Sequence, residues 1–352
     1  MNMMFVEDCC EILDSMRIPI TAADRKEGEY PYYGANGIQD YVAGYIFDDE
    51  LVLLAEDGGN FGSKEKPIAY RVSGKCWVNN HAHVLKPKAG LDVDYLCYSL
   101  MFYKVDGMVN GATRQKLTQS AMRKMQIPSR CMEEQKHIVD ELNRIIKIKE
   151  QRQQELQLLD ELIKARFVEM FGDPATNPMR WSETTIGDEC FYIKDGPHKS
   201  LPDIGKENGG HPFISVRNIV NGYIDFSTAR YISDEDYANA IKKCHPEKGD
   251  MLYSKGGTTG IAKLIDIDEE FANWVHVAVL KFDKSKLNGI FFENMLNGDY
   301  CFEQSQRLTK GIANRDLVLS AMAQIKMYRP PMELQEQFAA FVTEVNKSKV
   351  AE

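Results

Sequence analysis

Between Met132 and Phe171 the chain contains neither Gly nor Pro, and positions 138, 142, 145, 149, 152, 156, 159, 163, 166 and 170 step alternately by four and three. They read Ile138, Leu142, Ile145, Lys149, Arg152, Leu156, Leu159, Ile163, Arg166 and Met170, an apolar seam with polar interruptions. This spacing predicts one long helix, about 60 Å at about 1.5 Å per residue. Gly172, Asp173, Pro174 and the Asn177-Pro178 pair end it, because proline cannot continue the hydrogen-bond ladder. A second, shorter amphipathic stretch begins at Met332, carries Leu334, Phe338, Phe341 or Val342, and Val345 on one side, and runs to Glu352. An apolar seam needs a partner, so the two helices are expected to pack antiparallel as a coiled coil. The packing residues would be Ile138, Leu142, Ile145, Leu156, Leu159 and Ile163 on the first, with Phe338, Val342 and Val345 on the second. The polar breaks Lys149 and Arg152 would set the register.

Ahead of each helix the pattern changes to short apolar runs broken by Gly-rich turns: Leu51 to Leu54, Trp77-Val78, Phe213 to Val216 and His276 to Leu280 read as strands. Helical stretches fall at 94–104 and near 290–306. The two halves also repeat. Gly111, Leu117, Ser120, Ala121, Met122, Met132, Glu133 and Gln135 recur, 200 positions on, as Gly311, Leu317, Ser320, Ala321, Met322, Met332, Glu333 and Gln335. Upstream, His81 to Lys86 faces His276 to Lys281, and Gly58-Gly59 faces Gly256-Gly257, at offsets that vary as loops of unequal length require. The expected fold class is α+β: two mixed α/β domains related by an internal repeat and separated by long antiparallel coiled-coil helices. The expected division is 1–130 for the first domain, 131–172 for the central helix, 173–330 for the second domain and 331–352 for the short closing helix.

Composition narrows the function. A 43% hydrophobic and 10% aromatic chain can fill two cores. There is no run of about 18 apolar residues, and the acids between Met1 and Asp14 do not fit a secretory leader, so the chain is expected in the cytoplasm, off the membrane. Its eight cysteines form no Cys-x-x-Cys pair and read as buried free thiols rather than a metal or redox site. Gly256-Gly257-Thr258-Thr259-Gly260 lacks the spacing of a phosphate loop, and His81 with His83 lacks further ligands at a metal-binding spacing. Asn177-Pro178-Met179-Arg180 and Arg329-Pro330-Pro331-Met332 are the nearest strings to an adenine methyltransferase motif, and both lie at helix boundaries where proline has a structural use. Neither a catalytic centre nor a resident cofactor is expected. The formal charge of −9 votes against nucleic acid, but the acids gather at Asp48 to Glu50, Asp234 to Asp236 and Asp266 to Glu270, leaving basic neighbourhoods elsewhere. Amides and cations suited to base edges and phosphates are Asn36, Gln39, Asn60, Lys64, Asn79, Asn80, Arg114 and Lys116 in the first half. In the second they are Lys194, His198, Lys199, Arg217, Asn218, Lys255, Thr258, Lys310, Asn314 and Arg315.

Tyr30-Pro31-Tyr32-Tyr33-Gly34-Ala35-Asn36-Gly37-Ile38 with Asp40-Tyr41, followed by Glu56-Asp57-Gly58, resembles a recurrent signature of the specificity subunits of type I restriction-modification systems. Phe171-Gly172-Asp173-Pro174, Thr176-Asn177-Pro178, Trp181 and Ile186-Gly187-Asp188 resemble that family's junction between central helix and second domain, and the likeness covers nearly the whole chain. The resemblance implies two target-recognition domains, each reading one half of a split, asymmetric site in double-stranded DNA, with the helices fixing the unread base pairs between. It also implies two modification subunits docked on the helical spacer, bringing S-adenosylmethionine and methylating adenine. Restriction subunits that are motors and nucleases would bring ATP and Mg. The family's second helix usually runs further than this one, which implies weaker docking of the second modification subunit. The rival reading is a coiled-coil adaptor with two protein-binding heads, which the acidic charge suits. A stand-alone nuclease or methyltransferase comes third, and its motifs are missing.

Overall fold

The structure, a computed structural model, describes residues 2–111, 114–312 and 314–350. Ala351 and Glu352, included in the expected closing helix, lie outside the described residues. The chain divides into two compact units, 1–152 and 153–352. The long helix forms from Met132 to Phe171, beginning in the first unit and ending in the second. None of the described helices is long and apolar enough to cross a membrane.

In the first unit a six-stranded sheet runs in the order Cys10–Ile12, Ala82–Pro87, Phe47–Ala55, Ala69–Val78, Glu27–Gly34, Gly37–Val42. All neighbours are antiparallel except Glu27–Gly34 beside Ala69–Val78, which are parallel. The unbroken apolar run Leu51 to Leu54 exists because this strand is buried on both faces. Val52 and Leu54 pack under the helix Val93–Met101 with Leu96 and Leu100, while Leu51 and Leu53 face Val72, Val78 and Val84.

The second unit lays out the same plan with a break. A four-stranded antiparallel sheet runs Cys190–Asp195, Val277–Phe282, Met251–Ser254, Ala262–Leu264. A separate sheet sets His211–Ile214 between Arg230–Ile232, antiparallel, and Ala272–Asn273, parallel. The helical stretch expected near 290–306 is two helices, Gly289–Asn297 and Asp299–Leu308, because Gly298 between them is extended (φ −68°, ψ 151°). The strand expected at Phe213 to Val216 ends at Ile214, where Ser215 and Asn218 cap a short helical turn.

The repeated residues are the ones that close each unit. Met3–Phe5 pairs with Gln126–Pro128, and Ser182–Thr185 with Lys326–Arg329, so the first strand of each unit is zipped to the strand that leads into its helix. Leu117 and Met122, like Leu317 and Met322, are fully buried. Gln135 and Gln335 are buried clamps at the helix starts. Gln135 accepts from Asp92 N at 2.7 Å and donates to Gly90 O and Arg130 O; Gln335 accepts from Asn288 N at 2.9 Å and donates to Lys286 O and Pro330 O. Gly111 and Gly311 recur because both take a left-handed turn, φ 101° and 87°, that L side chains disfavour.

In the second unit the closing helix Met332–Val350 runs antiparallel to the end of the long helix. Phe338 meets Phe171 and Phe167 at 5.5 and 5.4 Å, the Arg166 guanidinium lies over the Phe341 ring, and Lys349 reaches back to Asp160. Ile163, Val342 and Val345 share that core, with Leu159 at its margin. In the first unit Ile138 flanks the core and Leu142 is half-buried. Leu156 is also half-buried, in the second unit. Ile145, expected to pack, is instead 60% exposed: the body of the first unit reaches the helix as far as Asn143, through Tyr98, and residues 143–151 are all exposed. The thiols are free, seven of them buried; Cys131, just ahead of the helix, is exposed and corrects the expectation of burial.

Candidate nucleic-acid interface

Each unit draws three loops to one corner with the same backbone hydrogen bonds. In the first unit Glu56 N donates to His81 O (2.9 Å), Leu117 N to Glu56 O (2.7 Å) and Gly58 N to Gln115 O (3.0 Å). In the second, Lys255 N donates to His276 O (2.8 Å), Leu317 N to Lys255 O (2.7 Å) and Gly257 N to Arg315 O (3.0 Å). The Gly-rich turn is a steric requirement here: a Cβ on Gly256 would lie 1.8 Å from His276 Nδ1.

The first corner gathers most of its predicted polar residues. Asn36, in the turn before Gly37, donates to Gly58 O at 3.1 Å, and Asn79 donates to Gln39 at 3.0 Å. Arg114 pairs with Asp57 at 2.7 Å beside His81, Lys116 pairs with Glu56 at 3.1 Å, and Asn80 is exposed at the adjoining turn. Asn60 and Lys64 lie on the following loop, where Asn60 bonds to Pro67 O. Beneath the corner, Asp14, Glu56 and His83 bring ligand atoms within 4.8 Å of one another. These atoms are already engaged. His83 bridges Asp14 Oδ2 (2.7 Å) and Leu117 O (2.9 Å), Asp14 also accepts from Val84 N and Gln119, and Arg17 donates to Glu56 at 2.6 Å. A cation therefore already sits there as the Arg17 guanidinium. Burial pushes both carboxyls up, but the His83 contacts on Asp14, and Arg17, His83 and Lys116 on Glu56, outweigh it and hold both below the usual range.

The second corner reverses the charges. Lys255 occupies the position of Glu56, and Asp316 that of Lys116; they pair at 2.9 Å. Asp195 joins them, receiving Lys243 at 2.9 Å, Lys255 at 3.6 Å and the exposed His198 at 3.7 Å. Burial, then the Lys255 charge, lowers the His276 pKa. Lys310 is tied by paired backbone bonds to Asp316 (2.9 Å each), and Arg315 turns inward to Gln306 and Thr259. Thr258, Lys199 and Asn314 are exposed around this corner; Lys194 lies on the edge strand over Tyr192, and Arg217 on a neighbouring loop.

Three predicted residues are held inside as they stand. Asn79 (3% exposed) accepts from His81 N, Asn218 (1%) braces Ser215, Asp225 and Thr228, and Lys255 (5%) has its charge neutralised. They build the loops that others present. Asp195, Asp316, Arg230 and Trp274 went unnoticed in the sequence, and Asp57 entered only as part of the Glu56-Asp57-Gly58 signature; the acids orient the basic residues.

The type I restriction modification DNA specificity domain family matches residues 1–158 and 178–351. A putative type I restriction enzyme specificity subunit of Haemophilus influenzae is 28% identical over 275 residues, 76% of this chain and 68% of that protein. The type I restriction enzyme MjaIX specificity subunit of Methanocaldococcus jannaschii is 23% identical over 264 residues, 69% of this chain and 58% of that one. The solved S subunit of the type I restriction-modification system of M. genitalium superposes with a TM-score of 0.59 at 14% identity, covering 99% of this chain and 90% of that one. A chain from a structure of the assembly and conformational transition of the type I R-M system gives 0.52, at 14% identity and the same coverage. At these identities the structural likeness speaks to the fold.

Proposed function

The chain belongs to the type I restriction modification DNA specificity family, and from that premise we propose that it reads a two-part, asymmetric target in double-stranded DNA, one part with each unit. The observation that carries this is the corner built twice on one set of backbone bonds but with inverted charge, Glu56 and Lys116 in one unit, Lys255 and Asp316 in the other. Equal scaffolds with unequal side chains are what two different half-sites require.

In this reading the chain has no catalytic role and works in the cytoplasm. Two modification subunits, carrying S-adenosylmethionine, dock along the connecting helix, where Ile145, Ile148, Leu158, Leu162 and Val168 are exposed. Restriction subunits supply ATP- and Mg-dependent cleavage. The helix, free of Gly and Pro, fixes the number of unread base pairs.

Duplex binding measured against salt tests the reading. A reader that neutralises six or more phosphates loses roughly a thousandfold in affinity between about 50 and 200 mM salt. A protein-binding adaptor has no such DNA affinity to lose, and its absence would reject the proposal. The purified chain is expected not to bind S-adenosylmethionine in equilibrium dialysis.

A further inference from the structure

Strand register aligns the two units residue by residue at one more place. Tyr32 faces Asp40 across its antiparallel pairing and Trp77 across its parallel one; Phe213 faces Arg230 and Ala272 in the same two pairings. Just beyond, Asn79 N donates to Tyr33 O at 3.0 Å, and Trp274 N to Ile214 O at 2.9 Å. Asn79 and Trp274 therefore hold one backbone position, and Asp40 and Arg230 another. The interval of 195 from Asn79 to Trp274 also separates His81 from His276, whose carbonyls do the same work in both corners. At these positions the first unit carries a carboxylate, paired with Arg25 at 3.2 Å, and an amide bonded to Gln39. The second carries a guanidinium and an indole.

Around that guanidinium and indole lies a cavity of about 200 Å³ lined by Phe213, Ser215, Arg217, Arg230 and Trp274. Arg230 stands 5.9 Å over the Trp274 ring and donates to Ser200 Oγ at 3.1 Å; Arg217 donates to Thr228 O. Among the described residues neither guanidinium is ion-paired. Asp203, the acid that feels both, already accepts from Tyr231 N (3.0 Å) and Gly205 N (3.1 Å). Those two bonds, ahead of the arginine charges, hold its carboxyl below the usual range. The Trp274 indole N–H is buried with no acceptor among the described residues, an arrangement that costs free energy unless something fills it.

The wall thus offers two guanidinium groups without ion-pair partners beside an aromatic face. Its complement is rich in acceptors. On a duplex, the base edge of that kind is guanine, whose N7 and O6 are the commonest specific partners of arginine, whereas an amide and carboxylate corner suits bases that offer amino donors. We propose that the Arg217–Arg230–Trp274 cavity is the guanine-reading site of the second unit. This rests on the reading of the chain as a DNA-sequence reader and adds which base it takes, and where.

The test selects bound duplexes from a randomised library with the full chain, then repeats the selection with Arg217→Gln, Arg230→Gln and Trp274→Phe, each compared with the unaltered chain by thermal melting. The unaltered chain is expected to enrich a two-part motif with a G·C pair in one part. Either arginine variant should lower the preference for that pair about tenfold or more and leave the other part unchanged. Two independent arginine variants keep the test decisive if one misfolds, and Trp274→Phe removes the N–H and part of the indole while keeping an aromatic face. An unchanged motif overturns the proposal, and a uniform loss of affinity across all duplexes does so by identifying a phosphate clamp instead. If the unaltered chain enriches no motif, the DNA reading fails first and this site with it.

Discussion

Gln135 and Gln335 show how a single side chain can join a helix to a domain. Each fills a buried site with one accepted and two donated hydrogen bonds, so removing the amide strands a backbone N–H and two carbonyls. Gln135→Ala and Gln335→Ala should each cost about 1–3 kcal/mol. Thermal denaturation would read this as a lower midpoint for either variant, and an unchanged midpoint would remove the clamp from the account. Asp14 and Glu56 make a second prediction. Both carboxyls are held below their unfolded values, near 4. The stability they contribute is therefore present above that range and lost as pH falls through it toward the folded values. Asp14→Asn should make the decline in stability between about pH 5 and pH 3 shallower, as followed by denaturant unfolding at stepped pH. The repeat was legible in the sequence at these residues because Gln, Leu, Met and Gly each met a fixed structural demand. The correspondence of Glu56 with Lys255 was not, since they are unlike residues doing one job.

At the scale of elements, the long helix was plain from a 40-residue stretch with helical spacing, and the closing strands were not. Met3–Phe5 and Ser182–Thr185 are too short to carry a period, and their partners lie over a hundred residues away, so only tertiary pairing defines them. The seam itself was read too uniformly. Phe338 packs among Phe167, Phe171 and the rest of the second core, whereas Ile145 and Ile148 are 60% and 64% exposed. Phe338→Ala should accordingly cost about 3–5 kcal/mol. Ile145→Gln with Ile148→Gln should change stability by no more than about 0.5 kcal/mol, yet reduce the amount of modification subunit that co-purifies with the chain. Undiminished co-purification would move the docking surface elsewhere.

For the whole molecule, a net charge of −9 proved a poor guide, because the acids at each corner are spent orienting cations rather than repelling a partner. In the proposed reading, what decides function is that one chain holds two copies of one corner with different chemistry. The most direct measurement co-expresses the chain with the modification subunit of its own source and sequences methylated adenines across the host DNA, before and after the loops of one unit are replaced. The account predicts a single two-part motif of fixed spacing, of which only the part read by the altered unit changes. A methylated motif that survives the replacement of either unit's loops intact would contradict it.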